Sequence, residues 1–283
     1  MKKTFLGLNE NPFDHETVKS VLIPVPFEAS VSYGKGTQFG PETILEASSQ
    51  IELFDAHLNR SCPEFFFHTC ASLKTMSDFK TMSEQLLPIV MNALELKKFP
   101  IVIGGEHSVA IPAINAFANF YPHGHVVHLD AHADLRDNYE NNPWSHACVM
   151  RRVREYNLNT LSIGVRSFSN EENEYIQKNK ISCLNPENPL FKETLQNQLN
   201  DLDGPAWLSF DVDVLDPSIM PSTGTPEPAG LTYTDIMEIF QMFQRSSLVF
   251  KGADITEFSP IPRLHHADFT CAKIIHRIAL MLI

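Results

Sequence analysis

Eight short apolar runs alternate with segments of helical spacing along this chain, and that alternation limits what it can fold into. The runs are SVLIPV (20–25), EFFFH (64–68), FPIVIGG (99–105), HVVHLD (125–130), NTLSIGV (159–165), KISCL (180–184), AWLSFD (206–211) and LVFKGADI (248–255). Most are apolar at nearly every position, which is how a strand buried on both faces reads. Between them lie stretches with apolar residues three and four apart (77–98, 107–120, 145–156, 232–244), and 265–283 closes the chain in the same way. Strand followed by helix, repeated, implies a parallel sheet with helices on both faces and right-handed crossovers. No composition break, repeat or low-complexity linker interrupts 1–283, so a single α/β domain is expected. Ligands in such folds sit beyond the carboxyl ends of the strands. The turn-rich loops 26–40, 136–145 and 213–230 would line that crevice.

Charge narrows the partners. A formal net charge of −12 argues against nucleic acid or an anionic membrane, since both select basic surfaces. A small cationic substrate suits it better. The opening MKKTFLGLNENPF has two lysines, but its apolar stretch FLGL is broken at once by Asn9, Glu10 and Asn11, and no 18-residue apolar span follows. The five cysteines (Cys62, Cys70, Cys148, Cys183, Cys271) make no C-x-x-C pair and read as reduced, packed thiols of a cytoplasmic protein.

Three strand ends carry the chemistry. GGEHS (104–108) follows FPIVI, DAHAD (130–134) follows HVVHL, and DVDVLDPS (211–218) follows AWLSF. On an extended segment Asp130, His132 and Asp134 would share one face, and they would repel or stay unsatisfied unless a cation joined them. His107, Asp130, His132, Asp134, Asp211 and Asp213 together offer two imidazoles and four carboxylates. That exceeds what one ion needs beside a water, and serves two divalent ions when carboxylates bridge. Taken singly, His107 would be a loop histidine and DVD a solvated turn or part of a calcium loop. Three clusters after three buried strands would concentrate unpaired charge at one edge, which disfavours that bland account.

GGEHS, DAHADLR, SHACVMRR, SFDVDVLDPS and ADITEFSP, in this order, resemble the ureohydrolases, the arginase and agmatinase superfamily, and the resemblance runs from PVPFEASVSYGKGTQFGPETI (24–44) to the C-terminus. It implies a three-layer α/β/α domain with a mainly parallel eight-stranded sheet. It also implies two Mn²⁺ per chain, hydrolysis of a guanidinium to urea and an amine, and assembly as a homo-oligomer, trimer or hexamer. Carried over, His107, Asp130, Asp134 and Asp211 hold one ion and Asp130, His132, Asp211 and Asp213 the other. Four carboxylates then cancel the charge of two divalent ions, and an added hydroxide leaves a slightly negative cluster that draws a guanidinium. His146 matches the histidine that passes protons to the leaving amine, although a helix-start histidine satisfied by backbone would look the same, and Ala147 stands where many relatives have glycine. Glu257 matches the carboxylate that clamps the guanidinium nitrogens; alone it would read as a surface glutamate.

Within that family the expected reaction is agmatine to putrescine and urea, a step of polyamine biosynthesis. Arginases usually follow the IGVR strand with two aspartates, and Ser167 and Ser169 stand there instead; the loop that holds arginine's α-carboxylate is replaced by RDNYENNPWS (136–145). Arg136 could bind a substrate carboxylate, as in guanidinobutyrate or formimidoylglutamate hydrolysis, or pair with its neighbours Asp137 and Glu140. Those two activities, arginase, and a non-enzymatic metal-binding relative are the alternatives. A binuclear phosphoesterase would need later Gly-Asp and Gly-Asn-His turns, which are absent, and a single-zinc deacetylase would not need His107, Asp134 and Asp213. His128 reads as a core histidine or one that supports a ligand from behind rather than as a ligand itself, His265 and His266 as solvent-facing, Pro41 as a helix start, and Arg151 and Arg152 as subunit contacts or a solvated face.

Overall fold

The structure, a computed structural model, describes residues 3–74, 76 and 78–283. Eight strands form one sheet: β1 (Ser20–Val25), β2 (Phe67–Thr69), β3 (Phe99–Gly104), β4 (His125–Leu129), β5 (Asn159–Ile163), β6 (Ser182–Leu184), β7 (Asp203–Asp211) and β8 (Ser247–Thr256). Their order across the sheet is β2-β1-β3-β8-β7-β4-β5-β6, and every pairing is parallel. The chain builds one flank with β1–β3 and the other with β4–β6, then inserts β7 and β8 between them. All eight carboxyl ends therefore lie on one edge.

Eight helices cover the sheet: α1 (Gly40–Ser48), α2 (Phe79–Glu95), α3 (Ala110–Phe120), α4 (Val149–Arg154), α5 (Asn170–Asn179), α6 (Phe191–Asn200), α7 (Tyr233–Arg245) and α8 (His265–Leu282). Successive strand residues point to opposite faces, and the core divides accordingly. Leu22, Ile101, Ile103, Val127, Leu129, Leu208 and Phe210 pack with α1, α6, α7 and α8. Val21, Ile23, Val102, Val126 and Trp207 pack with α2, α3, α4 and α5. This is the expected three-layer α/β/α domain, and both burial surfaces explain why the strands read as unbroken apolar runs. The pairing of β8 with β7 shifts register between Phe250 and Gly252. A Cβ on Gly252 would come within 2.2 Å of the Trp207 ring, so only glycine lets the central strand pass that indole.

Local signals mark several ends. Pro41 lies in the first turn of α1, as expected, and capping boxes open α5 (Ser169, Glu172) and α7 (Thr232, Asp235). The strand expected at 64–68 starts at Phe67, because Phe65 turns with φ +61°. A two-residue hairpin, Phe54–Asp55 against Arg60–Ser61, carries no sequence signal strong enough to find. The expected helix over 77–98 spans Phe79–Glu95, and Ser77 lies outside the described residues. Among the described residues, no helix is long and apolar enough to cross a membrane.

Candidate active site

β3, β8, β7 and β4 are consecutive neighbours at the centre of the sheet. Thr256 pairs with Asp211, and Leu129 with Phe210, so these strands end at nearly one level. His107 follows β3 after two glycines, Glu257 follows β8, Asp211 and Asp213 lie at the end of β7, and Asp130, His132 and Asp134 follow β4. The sharp exit from β3 needs Gly105, since a Cβ there would meet the Phe27 carbonyl oxygen at 2.1 Å. Parallel strands in register therefore gather residues up to 150 positions apart.

All six expected ligands come together. His107 Nδ1 is 2.9 Å from Asp134 Oδ2, 3.2 Å from Asp130 Oδ2 and 3.5 Å from Asp211 Oδ2. His132 Nδ1 is 2.9 Å from Asp213 Oδ2 and 3.6 Å from Asp130 Oδ1. Asp130 thus offers one oxygen to each histidine. The segment 130–134 is not the extended strand its alternation suggests. β4 ends at Leu129, and Asp134 takes the left-handed conformation (φ +51°), as does Glu257 (φ +63°). Such conformations cost about 1–3 kcal/mol each outside glycine and cluster where function demands a particular side-chain direction.

The electrostatics call for cations. Burial raises the Asp211 carboxyl well above the usual range, and Asp213 and Asp130 add to the effect. Burial and then Asp130 raise Asp134 as well. Burial works to lower the imidazoles, but Asp130 and Asp134 hold His107 well above its ordinary value, and Asp213 and Asp130 push His132 up to about 12. Burial and mutual repulsion disfavour the charged form of Asp211 and Asp134, while the neighbouring imidazoles hold Asp130 well below the usual carboxylate range, so the cluster carries more negative character than the two histidines balance. Four carboxylates and two imidazoles are a donor set that fits two divalent ions of the manganese kind. Among the described residues two groups meet the spacing for an ion, His107, His128, Asp130 and Asp134, and Asp130, His132 and Asp213; Asp211 belongs to neither, and its Oδ2 stands 3.5 Å from His107 Nδ1.

His128 lies within ligand distance of the cluster, yet both its ring nitrogens are already engaged: Nε2 is 2.8 Å from Asp130 Oδ2 and Nδ1 is 3.1 Å from Ser162 Oγ. It serves Asp130 from behind. His107 is backed in the same way: its Nε2 is 3.0 Å from Ser209 Oγ, and Ser209 donates to Asp254, which also accepts from Trp207 Nε1. Sequence reasoning assigned nothing to Ser209, Ser162 or Asp254. Their only signal is position: Ser209 lies on β7 two residues before Asp211, Asp254 on β8 two residues before its end, and Ser162 on β5 beside β4.

His107, His132, Asp134, Asp211 and Asp213 floor a cavity of about 280 Å³ lined also by Glu257, His146, Arg136, Tyr139 and Glu172, with Asp130 beneath them. Glu257 accepts the His107 backbone N–H at 2.6 Å; burial, then Glu106, keeps its carboxyl well above the usual range. Arg166 clamps loop 213–230 by donating to the carbonyls of Gly164, Asp213, Glu227 and Pro228. Arg136 does not pair with Asp137 or Glu140: it lies 3.8 Å from the buried Glu172 and 5.2 Å from the Tyr139 ring centre. Asp137 pairs instead with Arg152 at 2.6 Å. Arg152 is buried within its own chain and so is not part of a solvated face, and the part-exposed Arg151 stacks on Tyr175 at 3.7 Å. His265 and His266 are exposed, as expected, and Cys62, Cys148, Cys183 and Cys271 are free thiols.

A profile described as "Arginase family" matches residues 18–281. An N(1)-aminopropylagmatine ureohydrolase from Synechocystis is 34% identical over 275 residues, covering 91% of this chain and 87% of that protein. An agmatinase from Bacillus subtilis is 33% identical over 270 residues, covering 94% and 92%. Among solved structures, the agmatine ureohydrolase of Thermoplasma volcanium superposes with a TM-score of 0.83 at 28% identity, over 95% of this chain and 91% of that one.

Proposed function

This chain belongs to the arginase family and is a hydrolase acting on guanidino groups; from that premise we propose that it cleaves agmatine to urea and putrescine at a binuclear manganese centre. The cavity wall carries the choice of substrate. Among the described residues that line it, Arg136 is the only lysine or arginine, and it stands beside Glu172. The α-carboxylate of arginine would find no unengaged cation, and its α-ammonium would meet Ser167 and Ser169 rather than acids. Burying such groups unpaired costs about 1–3 kcal/mol each, a large factor in kcat/KM.

In this reading His107, Asp130, Asp134 and Asp211 hold one ion, and Asp130, His132, Asp211 and Asp213 hold the other. Two divalent ions held by these residues would supply Lewis acidity and a water that ionises near neutral pH. Glu257 orients the guanidinium through its nitrogens, and the acidic floor attracts the cation. His146 passes a proton to the leaving amine. The free thiols suit a reducing compartment, and the reading extends to a cytoplasmic homo-trimer or hexamer.

N(1)-aminopropylagmatine is the second reading, after the Synechocystis relative. Its longer tail adds an ammonium, which Glu172 on the cavity wall and Glu227, 3.9 Å from His132 Nε2, would favour. Urea release from Mn²⁺-loaded enzyme, measured as kcat/KM on agmatine, N(1)-aminopropylagmatine, arginine, guanidinobutyrate and formimidoylglutamate, tests both. Agmatine should lead, and a lead for any carboxylate-bearing substrate refutes the assignment.

A further inference from the structure

His146 is held by hydroxyls at both ring nitrogens. Its Nδ1 lies 3.2 Å from Ser30 Oγ and 3.2 Å from Ser145 Oγ, and its Nε2 lies 2.9 Å from Ser32 Oγ. Behind Ser30 stands Glu106, a buried residue of the GGEHS segment for which the reaction has so far required nothing. One Glu106 oxygen accepts the backbone N–H groups of Ala29 and Ser30, and the other accepts the hydroxyls of Ser30 at 2.7 Å and Ser108 at 2.6 Å.

A hydroxyl has one proton to give. That of Ser30 goes to Glu106, so toward its other neighbours the Ser30 oxygen can only accept. It accepts the His146 backbone N–H at 3.0 Å and faces Nδ1 of the same residue. A ring nitrogen facing an acceptor is the one that carries hydrogen, and the partner of one nitrogen decides the state of the other. Ser145 Oγ, which accepts the Ala147 N–H at 3.4 Å, serves as a second acceptor for the same Nδ1–H. Nε2 is then left to accept, beside Ser32, whose single hydroxyl proton can be given either to Nε2 at 2.9 Å or to Tyr139 Oη at 3.2 Å. When Nε2 takes a proton, Ser32 can turn its own toward Tyr139. Ser32, Tyr139 and His146 line the cavity, whereas Ser30 and Glu106 do not.

From this chain of donors we infer that Glu106 is a positioning residue. Acting through Ser30, it holds His146 in the Nδ1–H tautomer, so that Nε2, on the cavity side, is the atom that exchanges protons. The same carboxylate fastens the loop that carries Ser30 and Ser32. The inference rests on the reading of His146 as the proton-transfer group.

The test uses Mn²⁺-loaded enzyme and four variants: Glu106→Gln, Ser30→Ala, their double variant, and His146→Asn. In Glu106→Gln the amide oxygen keeps the two backbone N–H bonds. Its NH₂ turns to the Ser30 hydroxyl, which then donates to Nδ1 and moves the ring hydrogen to Nε2. Bound metal and KM should stay near wild type while kcat falls at least about 10-fold, toward the ~10²–10⁴-fold range of a lost general acid or base. The double variant should be no slower than Ser30→Ala, because both changes break one relay. Multiplying losses, or a loss of metal or rise in KM with Glu106→Gln, would overturn the relay. Should Glu106→Gln not fold, Ser30→Ala decides alone: unchanged kcat refutes the relay, and a fall in kcat with metal and KM retained supports it. His146→Asn separates the two layers. Wild-type kcat there overturns the reading of His146 and this inference with it; a loss of ~10²–10⁴-fold while Glu106→Gln and Ser30→Ala stay active overturns the relay alone.

Discussion

The Nε2 atom of His128 lies 2.8 Å from Oδ2 of Asp130, the same oxygen that is 3.2 Å from His107 Nδ1. His128 is fully buried and anchored to Ser162, so it holds Asp130 in one orientation. Residues that orient a ligand from behind typically contribute about 10–100-fold to metal affinity. His128→Ala should keep the fold by circular dichroism and lose metal to a chelator correspondingly faster. Unchanged retention would reduce His128 to a packing residue.

Reconstitution with Mn²⁺ followed by desalting should leave two equivalents per chain, and one or fewer would defeat the binuclear reading. Asp211→Asn should lower activity and metal content more than Asp213→Asn, because Asp211 is assigned to both ions and Asp213 to one. Equal damage would remove the bridging role.

Arg136 stands beside Glu172 and over Tyr139. Its removal should leave kcat/KM for agmatine at or above wild type, since it takes the one lysine or arginine off the described wall of a cavity that takes a cation, while Glu172 stays fixed by Ser169 and Leu135. Guanidinobutyrate should remain a poor substrate for both proteins. A wild-type preference for a carboxylate-bearing substrate that Arg136→Ala reverses would end the agmatinase assignment and leave the guanidino chemistry intact.

His276 lies on α8, buried away from the ligand cluster, and burial together with Lys273 lowers its pKa to about 4, against a raising effect of Asp55. The unfolded chain binds a proton on this imidazole near the ordinary value of about 6.5. Between about pH 6.5 and pH 4 the unfolded state therefore holds more protons, and stability falls as pH drops through that window while remaining level above it. His276→Gln should shrink the fall in Tm between about pH 7 and pH 4.5 relative to wild type; an identical fall in both proteins would refute the assignment.

Much of the site was legible because its signals are local. GGEHS, DAHAD and DVD each follow an apolar run, so His107, Asp130, His132, Asp134, Asp211 and Asp213 could be named before any coordinates. The run over 64–68 was misplaced by its end because the left-handed turn at Phe65 has no sequence mark when the residue is not glycine. The partner of Arg136 was misread because proximity in sequence favoured Asp137 and Glu140, whereas the capping box of α5 brings Glu172 to it.

The sequence by itself determined the parallel α/β architecture, because that depends on periodicity within a few positions, and named the candidate ligands by residue type at three strand ends; the guanidino chemistry was legible only through the family resemblance that those motifs carry. Only the tertiary structure decided which groups stand behind the ligands: His128 on Asp130, Ser209 and Asp254 on His107, Glu106 and Ser30 on His146. Serines and buried acids of that kind look ordinary in a sequence. Their role arises from strand register and the insertion of β7 and β8 between the two flanks, which bring residues far apart in the chain within a hydrogen bond of one another.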